Sequence, residues 1–117
     1  MTQQLSKHFK RKEFACQCGC GFDTVDALLI AVLEDIREYF RQYVIILSGC
    51  RCEQHNKDVG GRTRSFHKKG KGADFYVAHV PAPLVYAYLD QKYPDTFGLG
   101  RYEDRTHLDV REDKARW

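Results

Sequence analysis

The stretch DTVDALLIAVLEDIREYF, residues 23–40, most limits what this chain can become. Val25, Leu28, Leu29, Val32, Leu33, Ile36 and Phe40 recur at three- and four-residue steps and form one broad apolar stripe. The stripe reads as core rather than as a cofactor face. Asp23 or Thr24 can cap the helix start, because a side-chain oxygen there satisfies an orphan backbone N–H. YVIILSG follows, a β-branched apolar run ended by Ser-Gly, and reads as a buried strand. Further on, a short helix is expected near Glu53–Asp58, then a loop, a strand at ADFYV, and a helix at PAPLVYAYLDQKY. Pro81 or Pro83 sits in the first turn of that helix, where a missing N–H costs nothing. FGLGRY and THLDVR read as two strands joined by a tight turn around Glu103–Arg105. These elements, without repeats or linkers, indicate an α+β domain with a small antiparallel sheet.

At 117 residues, one domain (1–117) with a single modest core is expected. No apolar run approaches the roughly 20 residues of a membrane span, and no membrane partner is expected. The opening MTQQLSKHFKRKEF is polar and lacks the apolar core of a signal peptide, so cytosolic synthesis without an export signal is expected. A formal net charge of +3 is a mild bias that permits weak attraction to an anionic polymer.

Three of the five cysteines lie in CQCGCG (Cys16, Cys18, Cys20) and two flank an arginine in CRC (Cys50, Cys52). An odd count argues against a complete disulfide framework. Three readings stay open: small reduced residues in a Gly-rich turn, a second, structural metal site, or a bridge between the two clusters.

Of the five histidines, His8 and His79 read as surface residues without a role, and His55 as structural. His67 and His107 remain. In THLDV the two-residue period of a strand puts His107 and Asp109 on one face and Leu108 and Val110 on the other. Asp74 opens another strand, with Tyr76 on its side. Two histidines and a carboxylate match the three-ligand set of a catalytic zinc site, which keeps its fourth position for water. Taken alone each piece is weak, since a histidine and an aspartate at such spacing arise often by chance.

In order, these pieces resemble the D-Ala-D-Ala metallopeptidase family. That family includes zinc D,D-carboxypeptidases, vancomycin-resistance dipeptidases and phage endolysin peptidases, and shares its fold with the hedgehog signalling domain. Its motif S-x-H-x-x-G-x-A-x-D appears here as Ser65, His67, Gly70, Gly72 and Asp74, with Gly72 in place of the alanine. LSGCRCEQHNKDVGG is similar to the S-G-x-R-x-x-x-x-N segment that precedes the motif in one branch. FGLGRY, THLDVR and ARW resemble that branch's final hairpin and end, and LSKHFKRKEFAC its opening.

The resemblance implies one catalytic Zn2+ held by His67, Asp74 and His107. It implies peptidoglycan peptides as substrate, cut as a carboxypeptidase or an endopeptidase. Some members place an acidic residue three positions before the last ligand, here Asp104; others use a histidine two positions before it, where this chain has Arg105. Asp109 competes with Asp104 as the essential carboxylate, either as base or as a partner that orients a ligand histidine. Arg51 is the candidate for gripping a substrate carboxylate. Ser65 either hydrogen-bonds substrate or shapes its loop.

A monomer acting on the cell wall, as a phage or prophage lysis protein or a phage structural component, would fit. Two other readings are a non-catalytic wall- or partner-binding module of the same fold, and a nucleic-acid binder built on Arg62, Arg64, Lys68, Lys69 and Lys71. No nucleic acid is expected, because charge runs are usually solvated faces and aromatic interleaving is sparse.

Overall fold

The computed structural model describes residues 3–63 and 65–117. Arg64, one of the cations named above, lies outside the described residues. The described residues form three α-helices, α1 (Ala27–Phe40), α2 (Glu53–Asp58) and α3 (Ala82–Lys92), and five strands. The strands are β1 (Val44–Ser48), β2 (Gly72–Val77), β3 (Gly98–Arg101), β4 (Thr106–Asp109) and β5 (Ala115–Arg116). They make one sheet in the order β1-β2-β4-β3-β5. The α+β class read from the sequence is the one found. All pairings are antiparallel except β5, which adds a short parallel edge beside β3. Among the described residues no helix is long and apolar enough to cross a membrane.

Helix α1 starts later than its stripe suggests. Its cap is Asp26, whose carboxylate accepts the Leu28 N–H at 2.8 Å, rather than Asp23 or Thr24. Residues 23–25 are held outside the helix by other contacts. The Asp23 carbonyl accepts from the Arg11 guanidinium at 2.8 Å. The Asp26 amide donates to the Gly70 carbonyl, and Gly70, at φ 69°, lies so close to the Thr24 carbonyl that a β-carbon would collide with it. The buried face is correspondingly Leu29, Ile30, Val32, Leu33 and Ile36, while Leu28 is 48% exposed and not core.

This face packs with Ala73, Phe75 and Val77 of β2, Leu99 of β3 and Leu108 of β4, and with Val85 and Leu89 of α3. Asp35 of α1 ties the two long helices together. It accepts from the Tyr88 and Tyr93 hydroxyls at 3.0 and 3.2 Å and pairs with Lys92 at 2.7 Å. The N-terminal segment is fastened to α1 through Glu34, which accepts from the Ser6 hydroxyl, the His8 amide and the His8 ring. His8 is therefore a partly buried anchor, not a free surface residue.

Burial pushes Glu34 up, yet the hydrogen bonds from Ser6 and His8 outweigh it and hold the carboxyl below its ordinary value of 4.5. A lowered folded value means that stability from this group is fully present above the unfolded value and is lost as pH falls through the folded one. Urea midpoints at pH 7 and pH 3 check this: the advantage of the parent over Glu34→Gln is expected to shrink at the lower pH. An undiminished advantage would remove Glu34 from the account.

The other face of the sheet carries the chemistry. Along β2 it presents Asp74 and Tyr76, along β4 His107 and Asp109. β3 presents Gly98 and Gly100, so no side chain from β3 covers its neighbours. A β-carbon at position 98 would lie 2.5 Å from Asp109 Oδ2, and one at position 100 would lie 2.6 Å from the indole nitrogen of Trp117.

Candidate metal centre

Register brings two of the three expected ligands together. Asp74 of β2 stands directly opposite His107 of β4, so their side chains share one face and meet. Asp74 Oδ1 lies 2.9 Å from His107 Nδ1. The third, His67, sits in a 3-10 turn (Phe66–Lys69) that leads into β2. Ser65 caps that turn, its hydroxyl accepting the His67 amide at 3.2 Å. Ser65 thus shapes the loop, and it also borders the cleft. His67 is buried, with Nε2 at 3.4 Å from Asp74 Oδ2. One donor atom from each of the three residues falls within 4.8 Å of the others.

The outer nitrogens fix the tautomers. His67 Nδ1 is 2.6 Å from the Gly49 carbonyl, which can only accept, so Nδ1 carries the proton and Nε2 presents a lone pair. Among the described residues, that Nε2 is the one buried side-chain nitrogen or oxygen without a hydrogen bond. An unpaired buried polar atom costs about 1–3 kcal/mol, a cost that a ligand at this position removes. His107 Nε2 donates to Asp109 Oδ2 at 2.7 Å, which turns Nδ1 toward Asp74. Two imidazole nitrogens and a carboxylate thus converge, each histidine oriented from behind by an acceptor, as metal-ligating histidines are. The donor set fits a divalent metal ion of the zinc kind.

The electrostatics agree. Burial pushes Asp74 up, but the contact with His107 and the closeness of both imidazoles prevail and hold it well below the usual carboxylate range. His107 is pushed down by burial and raised further by Asp109 and Asp74, with a net rise. Two carboxylates facing one imidazole make a site that favours a positive charge.

Asp109 is fully buried, and both of its oxygens are engaged. Besides His107 it takes a two-pronged grip from Arg111, at 2.6 Å (Nε to Oδ1) and 2.7 Å (Nη2 to Oδ2). Burial pushes its carboxyl up, while Arg111 and His107 bring it down to about 2. Asp104 is placed elsewhere: its side chain is 77% exposed, pairs with Arg105 at 3.0 Å and does not border the cleft. The hairpin turn that carries it points to solvent, so the D-x-x-H spacing does not bring this carboxylate to the ligands.

Arg51 reaches the centre through the bend that follows β1. Pairing between β1 and β2 slips between Ile46 and Ser48, and the chain leaves the sheet at Gly49. The Arg51 guanidinium donates to Asp74 Oδ2 at 3.3 Å, Ser48 Oγ at 3.2 Å and Asn56 Oδ1 at 3.4 Å.

Arg111 and Trp117 were not singled out from the sequence. Arg111 continues the face-sharing series His107, Asp109, Arg111, a two-residue period that could have found it. Its guanidinium lies 4.4 Å from the Phe66 ring and 5.4 Å from that of Trp117. The indole in turn packs 5.0 Å from the His107 ring. Trp117 enters the sequence reading only as the end of ARW, with no role attached.

Above the centre is an open cleft of about 950 Å³, rimmed by Arg62, Lys68, Lys69 and Arg105 among others. Lys68 is engaged with its own loop, donating to the Thr63 carbonyl at 2.8 Å and facing Glu53.

A largely buried His–Asp–His set at the floor of such a cleft has the composition of the metal site of a metal-dependent hydrolase. The family model for peptidase M15 matches residues 7–109. The chain belongs to the peptidase M15 family, and is a metallopeptidase by that membership. A search of curated proteins finds no match.

Gly72, the departure from the motif, opens β2 and does not sit in a loop. A β-carbon there would meet Asp109 Cβ and the His67 amide at 3.4 Å and His107 Cε1 at 3.5 Å, ordinary contact, and its φ is not left-handed. Gly72→Ala is expected to stabilise the protein by about 0.4–1 kcal/mol through a less flexible unfolded chain. Thermal unfolding measures it, and a lowered melting temperature would show that the strand cannot take the methyl.

Proposed function

We propose that this chain is a zinc-dependent peptidase that hydrolyses bonds involving D-amino acids in peptidoglycan stem peptides or cross-links. The observation that carries the reading is the orphaned lone pair of His67 Nε2, aimed with His107 Nδ1 at the Asp74 carboxylate. His67, Asp74 and His107 would hold the ion; when bound, zinc polarises a peptide carbonyl and makes water a nucleophile at neutral pH. Gly49 and Asp109 keep the two imidazoles in the tautomers that ligation needs. Asp109, with no free oxygen, acts as a positioning residue. Arg51 and the basic rim favour a substrate bearing carboxylates, which stem peptides supply. The indole of Trp117 gives the cleft one apolar wall. Such an enzyme would act at the cell wall, and a phage or prophage lysis protein or a phage structural component would fit that substrate class.

Mass spectrometry of products from defined muropeptides tests the proposal. Cleavage at a bond next to a D-residue, lost with chelator and restored by zinc, is expected. The product masses also tell a carboxypeptidase from an endopeptidase. Zinc bound without any cleavage would instead favour a non-catalytic module of the same fold.

A further inference from the structure

The five cysteines take no part in this centre, and the fold separates them into one and four. Cys50 is buried, its thiol donating to the Phe22 carbonyl at 3.0 Å and its amide to the Phe14 carbonyl at 2.9 Å. The other four come together from two places. Cys16, Cys18 and Cys20 lie in the loop before α1, and Cys52 stands just before α2. All four sulfurs lie within 4.8 Å of one another, with Cys16 and Cys18 at 3.4 Å and Cys18 and Cys52 at 3.6 Å. Four sulfurs around one zinc at about 2.3 Å are separated by about 3.8 Å, so the observed spacings are close to those of a tetrathiolate site.

The backbone builds this arrangement. Gly19 and Gly21, at φ 82° and 90°, fold the loop back on itself, and the Cys16 amide closes it on the Phe22 carbonyl at 2.7 Å. Two sulfurs also accept backbone N–H groups: Cys16 from Cys52 and Cys52 from His55, each at 3.4 Å. Amide donors aimed at sulfur favour thiolate over thiol. The tight C-x-C spacing of CQCGCG does not prevent convergence, because the fourth donor arrives from 32 residues beyond Cys20 in the sequence.

We infer that Cys16, Cys18, Cys20 and Cys52 form a second metal site, a closed tetrathiolate that binds zinc in a structural role. Four soft donors with no histidine or carboxylate among them select zinc over the harder divalent ions. The site staples the N-terminal loop to the segment Gly49–Cys52. That same segment supplies the Gly49 carbonyl to His67 and Arg51 to Asp74.

The test uses the full chain purified under reductant, loaded with zinc alone and desalted, with metal counted by mass spectrometry. Two zinc ions per chain are expected. One is expected in Cys18→Ser/Cys20→Ser, whose replaced side chains are exposed and need not disturb packing. Cobalt substitution gives a separate readout. A thiolate-to-cobalt charge-transfer band should appear in the parent, persist in His67→Ala and vanish in the double cysteine variant. That band reports sulfur ligands alone, so it stands or falls independently of the peptidase reading. A single metal per chain with no such band overturns the inference. So does a Cys18–Cys52 disulfide that survives reductant beside a single metal.

Discussion

Replacing His67 with alanine is expected to remove the ion from the His67–Asp74–His107 set and to lower muropeptide hydrolysis by about a thousandfold or more. The size follows from the several kcal/mol that a bound metal contributes to the transition state, each 1.4 kcal/mol or so being a factor of ten. The Gly49 carbonyl loses its partner as well, at about 1–3 kcal/mol if no water replaces the imidazole. Metal content, rate and circular dichroism measured on one preparation separate loss of the ion from loss of the fold. A folded, metal-depleted His67→Ala protein that retained the parent rate would sink the assignment of this set to catalysis.

The second large effect is expected at Asp109. Asp109→Asn should reduce turnover about 10–100-fold, the range for a residue that orients a metal ligand from behind. Its neutral amide no longer balances Arg111 and no longer compels His107 to keep its proton on Nε2. Losing a charged hydrogen-bond partner should also lower stability by about 1.5–3 kcal/mol. Asp104→Asn is the natural comparison. With its carboxylate in solvent, it should change the rate by no more than about twofold, the scale of an ordinary surface substitution. If Asp104→Asn proves the more damaging of the two, the turn must fold inward during the reaction and the roles proposed for these aspartates exchange.

Much of this was legible because two short periods carry most of the information. The two-residue period of THLDV separated His107 and Asp109 from Leu108, and β4 does so. The β-branched run ahead of Ser48 and the polar helix Glu53–Asp58 appear where the residues put them. The start of α1 was misread because Asp23, Thr24 and Asp26 are all competent caps. Only the tertiary contact of residues 24–26 with Gly70 chooses among them. Asp104 shows the complementary limit: spacing says how far a residue lies from a ligand along the chain, not whether a turn aims it inward. His8 reads as surface until Glu34, 26 residues on, is seen to hold it. Trp117 owes its position to β5, whose pairing with β3 is parallel and has no local signal.

The bare face of β3 has a consequence for how this enzyme can diversify. Where the strand passes under the cleft it contributes only hydrogen atoms, at Gly98 and Gly100, and larger groups from β4 and the chain end occupy the room left over. A single methyl at position 100 would displace the indole, 2.6 Å away, and would also press on His107 Cβ at 3.0 Å. The wall of the cleft and the placement of a ligand are therefore coupled through position 100: a substitution that widens the first also disturbs the second.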